Sequence, residues 1–229
     1  KSTIQKQLIG HLYEKGVQKK NVLYVNFDDY EFIPHLGLEL LEFIQDQLPK
    51  TGQTYLFLDE IQKIPQFESW LRTQYERGTK TKYVISGSNV SLLSNKLATV
   101  LTGRTLTYTI YPLNYAEYKL FSNGSFEEFL EFGGFPEVVL AKTIAEKTDL
   151  LQNYVSDIVQ KDIFSLHSIS DQKQFFYFVQ YVLSNPGLRV SINKLSKILS
   201  ISKDTVKDFM SYLVDSYLVF EVPFFSYSA

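Results

Sequence analysis

Two adjacent carboxylates, Asp59 and Glu60, follow an apolar run in "YLFLDEIQKI" (55–64), whose Tyr55, Leu56, Phe57 and Leu58 belong in a core. An unpaired charge at the edge of an apolar interior is expensive, so something must offset it. One answer is structural: Asp59 caps the helix that follows, and Glu60 pairs with Lys63 or Lys1 on the surface. The other is chemical. Asp59 would hold a magnesium ion, directly or through water, and Glu60 would orient and deprotonate the water that attacks a terminal phosphate. "KST" at Lys1, Ser2 and Thr3 supports the chemical answer, because it opens a helical pattern and matches the end of G-x-x-x-x-G-K-[ST]. Ser2 would then share the magnesium. "SGSN" adds the small polar residues Ser88 and Asn89.

These residues can meet only if the intervening elements bring them together. "NVLYVNFDD" (21–29), "TYLFLDE" (54–60) and "KYVISGSN" (82–89) read as buried strands, and "RTLTYTIYPL" (104–113) as a fourth. Helical patterns alternate with them. Ile4, Leu8, Ile9 and Leu12 share a face that Gly16 ends; Leu38 to Leu48 is closed by Pro49 and Gly52; Pro65 starts a helix to Tyr75 that Gly78 closes; Leu92 to Leu101 is the last. Alternation implies a parallel sheet covered on both faces, with ligands at the carboxyl ends of the strands. Asp28, Asp29, Asp59, Glu60, Ser88 and Asn89 would gather there around the start of the first helix. The chain opens in that helix without a Met, so residues before Lys1 are expected, and a strand among them would complete a five-stranded core.

Composition bounds the alternatives. With 229 residues, 45% hydrophobic and 15% aromatic, the chain can bury a substantial core as one domain or two small ones. The absence of cysteine excludes disulfides and thiolate metal sites, and His11, His35 and His167 are too scattered to read as ligands. A net charge of -2 gives no whole-chain attraction to nucleic acid or membrane, so such a partner needs a local patch. No apolar run approaches the roughly 20 residues that span a bilayer, and no leader pattern is present; the expectation is a cytoplasmic protein with no membrane partner.

The second half is read mainly as structure. Ser125 and Glu128 form a capping box for a helix through Phe132, the glycines at 133 and 134 turn into "FPEVV", and Leu150 to Phe164 is an amphipathic helix that could close as a lid. "QFFYFVQYVL" (174–183) reads as core. From Asn185 the pattern becomes a helix at Ile192 to Leu199, a turn at Ser200 to Ser202, a second helix to about Val214, and a strand-like "YLVFEVPFF" suited to a wing. Lys203 and Lys207 would point outward to duplex DNA phosphates, whereas base reading is disfavoured because the helix exposes no Arg, Asn or Gln. A winged helix used for protein contact or as a spacer remains the other reading.

Taken together, "KST", "LYVNFDD", "YLFLDEIQKI", "YVISGSN", "LTGR", "YPLNYAEY", "GGFPEVV" and "VQKDI" resemble the AAA-type P-loop ATPases of bacteria and archaea that carry a DExxQ signature. In that group a winged helix follows, often with a nuclease-like C-terminal domain. The resemblance implies an α/β fold: a three-layer P-loop core with a parallel sheet over 1–116, lacking its first strand and glycine loop, a helical lid or connector over 117–170, and a winged-helix domain over 171–229. It implies ATP and Mg2+ as cofactors. Lys1, Ser2 and Thr3 would end the phosphate loop, Asp59 and Glu60 would be the magnesium and water-activating acids, Asn89 the sensor of the terminal phosphate, and Arg104 an arginine finger. The expected function is ATP hydrolysis driving a switch on DNA or a protein partner, in a chain able to form homo-oligomers. The alternative is a DNA-binding regulator with a vestigial pocket. Two departures stand out: the glycines of the phosphate loop and any nuclease-like tail lie outside this sequence, so the chain as given is not expected to hydrolyse ATP.

Overall fold

The computed structural model describes residues 1–87, 101, 103–187, 189 and 191–223. They form two compact units, Lys1–Tyr108 and Thr109–Ala229.

The first unit is α/β. Helix α1 (Ser2–Glu14) leads to strand β1 (Val22–Asn26), α2 (Leu38–Asp46), β2 (Thr54–Asp59), α3 (Phe67–Glu76) and β3 (Thr81–Ile85). The helix ends follow backbone chemistry. After α1, Gly16 at φ +84° lets its own amide reach the Tyr13 carbonyl and that of Val17 reach Leu12, a Schellman closure that Gly78 repeats after α3. The three strands are parallel in the order β1-β2-β3, with Leu23 beside Leu56 and Tyr83, and Tyr24 beside Phe57 and Val84.

Because strand side chains alternate, this register sorts the sheet into two faces. Leu23, Val25, Leu56, Leu58, Tyr83 and Ile85 share one with Leu41 and Ile44 of α2 and Phe67, Trp70 and Leu71 of α3. Tyr24, Phe57 and Asp59 occupy the other, where Lys6 of α1 places its ammonium 5.7 Å from the Tyr24 ring. Helices therefore cover both faces of a small parallel sheet, as the alternation predicts.

One expectation needs correction here. Residues 104–113 form no strand; Leu106 and Tyr108 are 85% and 77% exposed. Their alternation is a strand signal, but a strand forms only when its amides find a neighbouring backbone, and no described strand lies beside them. The expected helix over 92–101, apart from Leu101, lies outside the described residues, as do Ser88 and Asn89.

The second unit is helical: α4 (Tyr115–Phe121), α5 (Phe126–Phe132), α6 (Pro136–Leu140), α7 (Ile144–Asp157), α8 (Gln172–Leu183), α9 (Ile192–Leu199) and α10 (Lys203–Asp215). Capping boxes start α4 at Asn114 with Glu117 and α7 at Thr143 with Glu146. The box expected at Ser125 is only half made. Ser125 accepts from the Glu128 amide, but the Glu128 carboxylate is drawn to the ammonium of buried Lys147. A π-helical stretch, Ile158–Phe164, continues α7. Its Val159 and Ile163 share a core with Phe175 and Phe178 of α8, Leu195 of α9, and Val206, Phe209 and Leu213 of α10. The aromatic run of α8 is thus core on one side, with Tyr177 exposed on the other.

Helices α9 and α10 are joined by the expected three-residue turn, entered through Ser200 at φ +54°. Residues 217–223, expected as a wing strand, form none; 224 and 225 lie outside the described residues. The reason is local. Tyr217 adopts φ +58°, its amide reaches the Val214 carbonyl and that of Leu218 reaches Leu213, so these groups close α10 instead of entering a ladder.

Candidate functional site

The first strand-end acid is fully buried. Asp59 sits at the last position of β2, and each carboxylate oxygen has a donor: the Tyr24 hydroxyl reaches Oδ2 at 2.8 Å, and the Ser86 hydroxyl reaches Oδ1. Ser2, the first residue of α1, brings its hydroxyl near enough to the same carboxylate to favour its charged form. Burial pushes the Asp59 pKa upward, but the hydroxyls of Ser2, Ser86 and Tyr24 together outweigh it and hold the carboxyl below its ordinary range. Burial and the bond to Asp59 push the Tyr24 phenol up to about 12.

The next residue is the opposite case. Glu60 takes left-handed backbone angles, φ 55° and ψ 41°, which are uncommon outside glycine. The turn carries the chain off the sheet, while the Ile61 amide still pairs with the Ser86 carbonyl at 3.1 Å. It also brings the Gln62 side-chain amide back to donate to Glu60. Burial raises the Glu60 pKa, and the negative charges of Asp28 and Asp59 add to it against the opposing Gln62 bond and Lys1 charge. A half-buried carboxyl whose pKa is raised is suited to proton transfer.

The structural explanation for the paired acids does not describe this site. Lys63 forms its ion pair with Asp28, and the Lys1 ammonium donates to the Gly87 carbonyl at 2.7 Å. Asp59 caps no helix, since its oxygens face Tyr24 and Ser86. Lys1, Ser2, Asp59 and Glu60 do gather at the carboxyl ends of β2 and β3. Asp29 instead accepts from the Glu31 amide and starts a short 3-10 turn. Tyr24, Ser86 and Gln62 were missed by sequence reasoning. Their signal is weak, since a tyrosine in a strand is ordinary, and only the β1–β2 register shows that its hydroxyl reaches diagonally to Asp59.

Arg104 is not brought to this cluster. Helix α3 runs back from the end of β2 to the start of β3, so its last residue, Glu76, lies at the far edge of the sheet from Asp59. Arg104 pairs with Glu76 at 3.7 Å and lies 4.8 Å over the Tyr75 ring. In the second unit, Lys203 is exposed, and Lys207 is exposed but paired with Asp204 at 2.9 Å.

A family profile described as an AAA domain matches residues 1–119, slightly more than half of the chain. The chain belongs to this AAA family. The matched residues include the whole parallel sheet, with Asp59 at a strand end and Ser2 at the start of α1, and an AAA domain of this kind suggests nucleotide binding. A second profile, described as a domain of unknown function, matches residues 123–229. An uncharacterised protein of Methanocaldococcus jannaschii is 30% identical over 91% of this chain and 52% of its own length. An uncharacterised protein of Haemophilus influenzae is 28% identical over 96% of this chain and 59% of its own length. The chain thus spans between half and three-fifths of the length of these curated relatives. No solved structure matches it significantly.

Among the described residues, no three or more His, Cys, Asp or Glu side chains form a metal-binding group, and no helix is long and apolar enough to cross a membrane. The Asp59 carboxylate and the Ser2 hydroxyl nevertheless are oxygens of the kind magnesium takes. That ion takes hard oxygen ligands, keeps several waters, and is held by one or two carboxylates together with substrate phosphates rather than by an all-protein cage.

Proposed function

We propose that the AAA domain binds ATP with magnesium and hydrolyses it, and that hydrolysis switches the conformation of the protein on a macromolecular partner. The observation that carries this reading is the contrast between two adjacent carboxyls. Asp59 is buried, fully hydrogen-bonded and stabilised as the anion, whereas Glu60 is held by a strained turn where burial and neighbouring charges favour its protonated form. Environments that push paired carboxyls apart are how a site divides metal holding from proton transfer. In this reading Ser2 and Asp59 hold magnesium, and the amide end of α1, with Lys1 and Thr3, receives phosphate. Magnesium bound there would offset the negative charge of the phosphates. Glu60 takes the proton from the attacking water, and its Gln62 contact sets the carboxylate's direction. Asn89 is assigned to sense the terminal phosphate. Arg104, far from its own Glu60, is assigned as an arginine finger reaching the site of a second copy.

The test uses the full-length protein. Glu60→Gln should retain ATP binding and lose phosphate release by a factor on the order of a hundred or more, the size typical of removing a general base. Undiminished release by that variant would overturn the assignment.

A second reading, a DNA-binding regulator with a vestigial pocket, has its own support. Ser202 caps α10 by accepting from the Thr205 amide, directly after the three-residue turn from α9, and Lys203 lies exposed on the first turn. That order of elements supports a helix-turn-helix, and this reading assigns the DNA-contacting domain to 171–229, with 117–170 as the connector or lid.

A further inference from the structure

The phenol of Tyr24 has no role in the reading above, although it donates a well-formed hydrogen bond to Asp59. Parallel register puts Tyr24 of β1 beside Phe57 of β2, so Asp59, two residues on, faces the same side one step along the strand. A tyrosine spans that diagonal, and its hydroxyl donates to Oδ2 at 2.8 Å. From the opposite neighbour, Ser86 donates to Oδ1 immediately beyond β3. Donors from both sides therefore restrain a carboxylate whose terminal torsion would otherwise be broad. Lys6 lies over the Tyr24 ring from α1, the helix that begins with Ser2, so the ring is seated between the helix and the strand that supply the two proposed magnesium-holding oxygens.

We propose that Tyr24 is a positioning residue of the nucleotide site: its hydroxyl, acting with Ser86, sets the orientation in which Asp59 receives hydrated magnesium. The inference rests on the nucleotide reading. Partners that orient metal-ligating groups typically change metal affinity about 10–100-fold when removed. Tyr24→Phe keeps the ring, its packing and its place beneath Lys6, and removes only the donor. Binding of a fluorescent ATP analogue to the full-length protein would be measured against magnesium concentration and again in excess chelator. The half-saturating magnesium concentration should rise about tenfold in Tyr24→Phe, and likewise in Ser86→Ala, with chelator-state binding unchanged. A merely structural role would lower the melting temperature and leave the magnesium midpoint in place. An unchanged or lowered midpoint in Tyr24→Phe, beside a parent that binds with magnesium, overturns this inference alone. A parent showing no magnesium-dependent binding overturns the nucleotide reading and this inference together.

Discussion

Replacing the two adjacent carboxyls singly by their amides should change stability in opposite directions. In Asp59→Asn, one oxygen becomes an amino group, and the hydroxyl facing it must turn to accept instead of donate. Two charge-assisted hydrogen bonds at about 1.5–3 kcal/mol each are then replaced by two neutral bonds at about 0.5–1.5 kcal/mol each. Relief of the buried charge returns part of the difference, leaving a loss on the order of 2 kcal/mol. In Glu60→Gln the bond to Gln62 can persist while the charge that burial, Asp28 and Asp59 disfavour is removed, so the variant should be more stable than the parent at neutral pH. Both are read by denaturant unfolding in chelator. The fluorescence of Trp70, the chain's one tryptophan, buried in α3 beside the sheet, is the signal. The pH dependence separates them further. Asp59 is depressed in the folded state, so its contribution is present above the unfolded carboxyl value near about 4 and is lost as pH falls through its folded value. Glu60 is raised, so the folded parent is favoured below the unfolded value of about 4.3 and loses that advantage as pH rises through the folded one. The gain from Glu60→Gln should therefore be present at about pH 7 and vanish in acid. An Asp59→Asn protein as stable as the parent, or a Glu60→Gln protein less stable than it at neutral pH, would refute the contrast on which the site is built.

Two further predictions address the proposed partners. If Lys203 and Lys207 bind phosphates, replacing both by Glu should weaken duplex DNA binding uniformly across sequences and flatten its salt dependence by about one unit of slope for each lysine–phosphate pair removed; an unchanged slope would favour a protein-binding or spacer role. If Arg104 leaves Glu76 to act in a second copy, Arg104→Ala and Glu60→Gln full-length proteins, each inactive alone, should recover ATP hydrolysis when mixed, because a finger acting in trans can be worth roughly a thousandfold in rate. Mixed oligomers that form and remain inactive would exclude the finger.

Local periodicity in the sequence determined the types of the three strands that form and of most helices. The runs around Tyr24, Phe57 and Val84 are apolar over strand length, and α9, the turn at 200–202 and the start of α10 fall where their punctuation placed them. These features depend on side-chain period and on groups such as Gly16, Gly78 and Ser202, which act within a few residues of themselves. The grouping of Ser2, Asp59 and Glu60 was also legible, since parallel strands alternating with helices deliver their carboxyl ends to one edge. Only the tertiary structure decided which partner each charge takes. Lys63 is close enough in sequence to pair with Glu60, yet goes to Asp28; Glu128 forgoes its own capping box for buried Lys147, 19 residues away. The same holds for the strand that did not form at 104–113 and for the hydroxyls on Asp59, since backbone pairing and hydrogen bonding between distant residues depend on which strands become neighbours and in what register. A residue's type states what it can bond; its partner is set by the fold that brings one within about 3 Å.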